Sequence, residues 1–195
     1  LANSKYVTSP LVNPKNDLAL MEKTLRALNF QIIGGEASGK DLRSAEMSER
    51  LSEFEAAARG AHTALVFYAG HGEEFGADTY LLDTSYAFVG YNSISKQSLT
   101  LTEIYAAIDR ARAPFNFVFI DACRTLPGKR NDVDRSFSNP KDPANTITVF
   151  STGKGTAAND GVGAANSPFT TVLAEQIAKP GQVWDETFRV ISREV

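Results

Sequence analysis

The chain has 195 residues and a formal net charge of −3 at pH 7, and 43% of its residues are hydrophobic and 22% charged. This length and composition are typical of one globular domain with a single sizeable core. The slightly negative charge argues against a general affinity for nucleic acid or anionic membranes, since proteins that bind either usually carry a surplus of basic residues. Partners and function must therefore be inferred from a localised site.

Other classes of protein are excluded by simple counts. The single cysteine, Cys123, rules out an intramolecular disulfide framework. No apolar run reaches the roughly 18 residues needed to span a bilayer, and the first residues lack the pattern of a signal peptide. Because residue 1 is Leu and a helical pattern runs to residue 195, we expect one domain, residues 1–195, cut from a longer protein. Cytoplasmic location is the default expectation, with any targeting signal outside the domain.

Helix and strand patterns alternate along the chain. Apolar residues at helical spacing predict helices over residues 18–28, 41–59, 102–111 (with Thr102 as N-cap), 168–178 and 184–194. Apolar runs predict strands at residues 30–33, 64–69, 79–82, 117–120 and 146–151. Residues 125–146 are rich in Pro, Asn, Asp, Lys and Arg and predict a long exposed loop. The alternation indicates an α/β fold with a largely parallel central sheet and helices on both faces.

Two reactive side chains follow strands that should be neighbours in this sheet. His71 follows ALVFYA, in the sequence AGHGEE, and Cys123 follows FVFIDA. Because ligands bind at the carboxyl ends of parallel strands, we expect His71 and Cys123 to meet at one edge, where the imidazole favours the thiolate. Gly70 and Gly72 are expected to form a tight exposed turn. The backbone N–H groups of Gly72 and Cys123 would then hold the oxyanion of a tetrahedral intermediate.

Each of these residues also has a purely structural interpretation. A lone cysteine at a strand end is more often a small core residue than a nucleophile, and a lone histidine after a strand is usually a loop residue. The coincidence of the only Cys with one of only two His at matching strand ends shifts the balance toward catalysis, and from these residues alone both interpretations stay open. The other histidine, His62, precedes its strand and is expected to be structural or exposed at the opposite edge.

A second candidate site lies at residues 34–41. Their sequence, GGEASGKD, nearly matches the phosphate-binding loop G-x-x-x-x-G-K-[ST] between a predicted strand and a predicted helix. The carboxylate that ends FVFID would then be the Mg²⁺-linked acid. The match fails at Asp41, where the metal requires a hydroxyl and where a carboxylate would repel phosphate. As a helix N-cap, Asp41 needs no nucleotide to explain it, so nucleotide hydrolysis is the weaker alternative.

The two strand-end motifs resemble those of a known family. AGHG after one strand, and DACR after the next core strand with its cysteine 52 positions beyond the histidine, are similar to the His and Cys blocks of caspase-like cysteine peptidases. The resemblance extends through NSKY, LVNPKNDLALMEKTLRALNF, YLLDTS, STGKGTAANDG and NSPFTTVLAEQI, and is greatest to paracaspases and their bacterial relatives. It implies the three-layer caspase-like (caspase-hemoglobinase) fold. It also implies a peptidase in which Cys123 attacks the scissile carbonyl while His71 serves the thiolate and protonates the leaving amine.

The residue before Ala-Cys separates the branches of that family. Caspases have Gln there and hold an acidic P1 residue with arginines, whereas this sequence has Asp121. Paracaspases and metacaspases hold Arg or Lys with carboxylates, and by this resemblance Asp17, Asp121 and Asp160 would line the P1 pocket. An incoming guanidinium offsets the desolvation of a buried carboxylate by bidentate pairing. A helix cap at Asp17 and a turn residue at Asp160 are the structural alternatives.

The resemblance also indicates partners and processing. It implies protein or peptide substrates with a basic P1 residue and no cofactor, with Ca²⁺ dependence left open. The segment after the Cys is where chains of this family are processed, so Lys129, Arg130, Arg135 and Lys141 are candidates for self-cleavage; an uncut solvated loop is the alternative. A homodimer through an edge strand and a monomer are both compatible with the family. A catalytically silent binding or scaffold module on the same fold is the competing function.

Overall fold

The computed structural model describes residues 1–87, 91–123, 140–151, 163–181 and 183–194, and for Cys123 it describes the backbone. Within these residues the helices are α1 (Pro14–Ala27), α2 (Gly35–Ser38), α3 (Ser44–Ala58), α4 (Tyr91–Ile94), α5 (Leu101–Ala111), α6 (Pro168–Ile177) and α7 (Trp184–Glu194). The strands are β1 (Thr63–Phe75), β2 (Asp78–Leu82), β3 (Ser98–Thr100), β4 (Phe115–Cys123) and β5 (Thr146–Phe150). None of the helices in this part of the chain is long and apolar enough to cross a membrane.

The described strands form one sheet in the order β3-β2-β1-β4-β5. β1 runs parallel to β4, from Thr63 beside Phe115 to His71 beside Cys123, and β4 runs parallel to β5. Beyond His71, residues 72–75 of β1 pair antiparallel with β2, which pairs antiparallel with β3. The parallel centre of the predicted sheet is therefore confirmed, and an antiparallel meander extends it on one side.

Helices cover both faces of the sheet. Successive strand residues point to opposite faces, so each face carries its own set of apolar side chains. Odd-numbered residues of β1 and β4, among them Phe67 and Phe119, pack against α1, α6 and α7. Even-numbered residues, among them Tyr68, Val118 and Ile120, pack against α3 and α5. A fully buried side chain of this size stabilises the fold by about 1.5 to 3 kcal/mol relative to exposure. The result is a three-layer α/β architecture whose two cores are separated by the sheet.

Two sequence-based predictions about strands are wrong. Residues 30–33 pair with no described strand, and Phe30 and Ile32 instead pack partly buried against the core on the α1 side. Gly70 and Gly72 do not form an exposed turn, because β1 continues through both of them to Phe75 and both are buried. The histidine between them therefore projects from a continuous strand rather than from a loop.

The predicted N-cap of α5 is displaced by two residues. Thr100 caps this helix: its hydroxyl oxygen accepts the N–H of Glu103 at 3.1 Å, and the Glu103 carboxylate accepts the Thr100 N–H at 2.8 Å. This reciprocal pair is a capping box, which satisfies two of the free N–H groups at a helix start. Thr102 lies inside the first turn and is exposed.

Residues 34–41 do not form a phosphate loop. They contain the single helical turn Gly35–Ser38 and are not preceded by a described strand. Asp41 has a φ of +56° and is not the N-cap of α3. Its Oδ1 accepts the N–H groups of Ser4 and Lys5 at 2.8 and 2.9 Å, and its Oδ2 lies 3.3 Å from Lys5 Nζ. Asp41 therefore fixes the N-terminal segment, which removes the structural basis for the nucleotide interpretation.

Candidate active site

β1 and β4 bring the two candidate catalytic residues side by side. His71 is the register partner of Cys123 at the last position of the parallel ladder. Neighbouring strands are about 4.8 Å apart, so the backbones of these residues are as close as two strands allow. The prediction that His71 and Cys123 reach the same edge of the sheet is confirmed.

The imidazole of His71 is held by the segment that precedes α1. Its Nε2 lies 2.7 Å from the carbonyl oxygen of Ser9. Because a carbonyl oxygen only accepts hydrogen bonds, Nε2 carries the hydrogen and Nδ1 is the basic nitrogen of the neutral ring. Ser9 has a φ of +57°, which is uncommon for a residue other than glycine. Sequence reasoning found no partner for His71, since any residue type can supply a backbone carbonyl.

Two buried tyrosines hold the backbone of His71. Tyr6 Oη accepts the His71 N–H at 2.8 Å, and Tyr68 Oη donates to the His71 carbonyl oxygen at 2.9 Å. The Tyr6 ring also packs against the imidazole with a centroid distance of 4.4 Å. Gly70 lies against both hydroxyls: a Cβ there would be 2.5 Å from Tyr6 Oη and 2.6 Å from Tyr68 Oη. Burial raises the pKa of both tyrosines, so they are neutral hydrogen-bonding groups at pH 7.

Two of the three predicted P1 carboxylates meet at the start of α6. Asp17 and Asp121 are only 2% and 7% exposed. Ser167, the N-cap of α6, donates its N–H to Asp17 Oδ1 at 2.9 Å and its hydroxyl to Asp121 Oδ2 in a short hydrogen bond. Asn166 Nδ2 donates to Asp17 Oδ1 at 3.0 Å, and Thr170 Oγ1 donates to Asp121 Oδ2 at 2.6 Å. One residue, Ser167, thus connects the two carboxylates.

The helix-cap interpretation of Asp17 is wrong, since the N-cap of α1 is Asn13 and Asp17 bonds across to α6 instead. Burial raises the pKa of Asp121, and the hydrogen bonds from Ser167 and Thr170 act in the opposite direction. Among the residues that the structure describes, no Lys or Arg forms an ion pair with Asp121. A bound cation would therefore be a partner that the described residues do not supply.

The remaining predicted residues are distributed as follows. Gly72, beside Leu81 of β2, is buried and immediately follows His71. His62 is exposed, as predicted, with its Nδ1 3.1 Å from Thr63 Oγ1. The other predicted positions, Asp160, Lys129, Arg130 and Arg135, lie outside the described residues, as does most of the predicted loop 125–146; Lys141, within its described end, is exposed.

A separate apolar cleft of about 440 Å³ lies between α1, α3 and the beginning of β1, where Leu25, Phe54 and Leu65 contribute to its lining. Of the candidate catalytic and P1 residues, the three whose side chains are described, His71, Asp17 and Asp121, do not line it. The cleft borders residues 63–68 of β1, whereas His71 lies further along the same strand.

Comparison with known proteins identifies the family. The family model for the Caspase domain matches residues 1–195, so the chain belongs to this family of cysteine peptidases. Among solved structures, the crystal structure of caspase-1 from Spodoptera frugiperda is similar, with a TM-score of 0.69 and 17% sequence identity over 100% of this chain and 75% of that chain. At this identity the likeness concerns the fold, and it confirms the caspase-like three-layer architecture. A search of curated proteins found no match.

Proposed function

We propose that this domain is a cysteine endopeptidase that cleaves peptide bonds after Arg or Lys. His71 and Cys123 would be its catalytic pair, and Asp17, Asp121 and Asp160 would bind the P1 side chain. The observation that carries the proposal is the pairing of His71 with Cys123 at the end of the β1–β4 ladder, two residues beyond a buried carboxylate.

The reaction begins at the thiol of Cys123. His71 Nδ1 accepts the thiol proton, since its Nε2–H is engaged by the Ser9 carbonyl. The thiolate attacks the carbonyl carbon after P1, so that a C–S bond forms and the electron pair moves to oxygen. The N–H groups of Gly72 and Cys123 stabilise that oxyanion. The C–N bond then breaks as the imidazolium protonates the leaving nitrogen, and water hydrolyses the acyl-enzyme with His71 as base.

Charge supports the choice of a basic P1 residue. Asp17 and Asp121 are both buried and linked through Ser167. A cationic P1 side chain offsets their desolvation, and the planar guanidinium of Arg can pair bidentately with a carboxylate. An acidic P1 side chain beside the same groups would be repelled. These carboxylates favour the cleavage preference of paracaspases and metacaspases over that of caspases. The proposed chemistry uses no cofactor, and assays in Ca²⁺ and in EDTA determine whether Ca²⁺ regulates it.

Fluorogenic peptides that differ only at P1 test the proposal. We expect cleavage after Arg and Lys, at least about 100-fold slower cleavage after Asp because of the buried like charges, and none by Cys123→Ala. Cleavage after Asp alone would contradict the pocket, and turnover that survives Cys123→Ala would contradict the mechanism. A folded wild-type domain with no turnover on any peptide would instead support the silent scaffold module.

Self-cleavage is proposed for the segment that follows Cys123. Lys129, Arg130, Arg135 and Lys141 are basic residues that would fit the proposed P1 pocket. Intact mass of the wild type is compared with that of Cys123→Ala after the same incubation. Fragments ending at one of these residues in the wild type alone are expected. Equal, uncut masses in an active preparation would refute self-cleavage.

A further inference from the structure

The amino end of α6 surrounds the carboxylate of Asp121 with donors. Ser167 Oγ accepts the N–H of Thr170 at 3.0 Å, so its own hydrogen is directed to Asp121 Oδ2. The Thr170 hydroxyl donates to the same oxygen at 2.6 Å. Ser167 is 3% exposed and Thr170 is fully buried, so water does not replace these donors easily. Two hydroxyls on one turn of helix therefore hold one oxygen of Asp121.

The groups around Asp121 differ in whether they favour or disfavour its ionised form. Burial disfavours the ionised carboxylate, and the nearby Asp17, joined through the Ser167 N–H, is a like charge when ionised. No described cation pairs with Asp121 from β1, β5, α1 or α6. The hydroxyls of Ser167 and Thr170 favour the charge most, and the Ser151 hydroxyl and the positive end of the ten-residue helix α6 act in the same direction.

Attachment of α6 to the sheet does not require this polar network. Phe169, Leu173 and Ala174 of α6 are buried in the core on the α1 side and provide apolar contact with β1 and β4. Burying a carboxylate and two hydroxyls is a poorer way to attach a helix than burying apolar side chains of similar volume. The network is therefore better explained by its hydrogen bonds to the Asp121 carboxylate than by a role in attaching α6.

We propose that Ser167 and Thr170 are positioning residues that keep Asp121 ionised and oriented, and thereby set the preference of the P1 pocket for a cationic over a neutral side chain. Ser167 also fixes Asp121 relative to Asp17, since its N–H and hydroxyl reach one carboxylate each. This proposal rests on the proposed peptidase function and adds the residues that determine its selectivity.

The kinetic test compares peptides with P1 Arg and P1 citrulline, which has nearly the same shape but no charge. In Thr170→Val, which removes the hydroxyl at nearly constant shape, we expect the Arg-to-citrulline ratio of kcat/KM to fall at least about tenfold, mainly through KM. Thr170→Ser should restore the ratio to within about threefold. Thr171→Val is the matched control, because the Thr171 hydroxyl donates to the Ser167 carbonyl at 2.8 Å and not to a carboxylate.

Ser167→Ala removes the second donor independently and should lower the same ratio, although loss of the helix cap also lowers its melting temperature. If Thr170→Val and Ser167→Ala both fold and keep the wild-type ratio, the proposal is overturned. A ratio that falls equally in Thr171→Val would likewise contradict it, because a general loosening of α6 would then be the cause.

A second readout does not depend on turnover. The ¹³C carboxyl resonance of Asp121, assigned with Asp121→Asn, is titrated in the wild type, Thr170→Val and Thr171→Val. We expect it to titrate at higher pH in Thr170→Val than in the other two. Identical titrations would overturn the positioning role even in an active enzyme. The two proposals can fail separately. If the wild type cleaves no basic peptide, yet Asp121 titrates at higher pH in Thr170→Val than in the wild type, the peptidase function is refuted and the positioning of Asp121 is retained.

Discussion

At position 70 there is no space for a β-carbon. The hydroxyl oxygens of Tyr6 and Tyr68 approach the position that it would occupy to 2.5 and 2.6 Å. Neither ring can easily retreat, since both are buried and both hydroxyls are bonded to the backbone of His71. Glycine at this site therefore allows both tyrosine hydroxyls to hydrogen-bond the backbone of His71, the proposed catalytic base.

Gly70→Ala should consequently lower kcat/KM by about 100-fold or more, because a displacement of about 1 Å in a catalytic group is enough for such a loss. Gly76→Ala is the matched control. A Cβ at Gly76, beyond the end of β1, meets no atom within 4 Å, although its φ of +63° makes the variant somewhat less stable. The rates of both variants are measured beside their melting temperatures. Full activity of a folded Gly70→Ala would show that the hydrogen bonds from Tyr6 and Tyr68 do not position His71.

Asp121 should reduce the stability of the fold as the pH rises. Burial raises its pKa in the folded state, so between about pH 4 and that raised pKa the folded protein binds more protons than the unfolded chain. The free energy of unfolding therefore falls with increasing pH across this window. Asp121→Asn does not titrate, so its stability relative to the wild type should rise from pH 4 to pH 7. Urea unfolding at both pH values measures this, with the exposed Asp109→Asn as the control for net charge. A difference that does not change with pH would refute the account.

Among the elements, α5 shows how a helix start is selected. The sequence offers two threonines, Thr100 and Thr102, and only Thr100 has a Glu three residues later at the position that completes a capping box. Thr100→Ala should therefore lower the free energy of unfolding by about 1 kcal/mol. Thr102→Ala should change it by less than about 0.5 kcal/mol, as is usual for exposed positions. Denaturant unfolding of both variants decides between them, and an equal loss would mean that Thr100 is not the effective cap.

Elements with a strong local pattern could be predicted, and elements defined by distant partners could not. The helices of the α/β layers and strands β1, β2, β4 and β5 were recognisable from apolar periodicity. The segment 30–33 has the same apolar character as a strand, yet strand formation requires a partner, which periodicity does not reveal. The continuation of β1 past His71 likewise depends on pairing with β2. From sequence alone, the two glycines that flank His71 favour a turn, because the pairing with β2 is not visible there.

The N-terminal segment orients His71 at the candidate site and is itself fixed by a residue elsewhere in the chain. It carries Tyr6 and Ser9, which hold His71, and Asp41 fixes it through the N–H groups of Ser4 and Lys5. None of these contacts is local in sequence, which explains why the sequence revealed His71, Cys123 and the carboxylates but not the residues that orient them.

Asp41→Asn tests this connection, and asparagine tolerates the left-handed backbone that position 41 requires. Burial raises the pKa of Asp41, but the two N–H donors and Lys5 outweigh it and lower the pKa overall. The charge therefore stabilises the fold above about pH 4, and this contribution is lost on acidification. We expect Asp41→Asn to lower the free energy of unfolding by about 1 kcal/mol at pH 7, and by less at pH 3. Lys5→Gln should change little, since this ion pair is exposed. Equal losses in the two variants would contradict the account.

Covalent capture of the proposed nucleophile tests the central claim most directly. The domain is incubated with peptidyl chloromethyl ketones that carry Arg or Asp at P1, and its mass is measured before and after proteolytic mapping. Because Cys123 is the only cysteine, any thiol adduct must lie there. The account predicts one equivalent of the Arg reagent on Cys123, little of the Asp reagent, and slow labelling in His71→Ala. Labelling by the Asp reagent in preference to the Arg reagent, or at a residue other than Cys123, would contradict it.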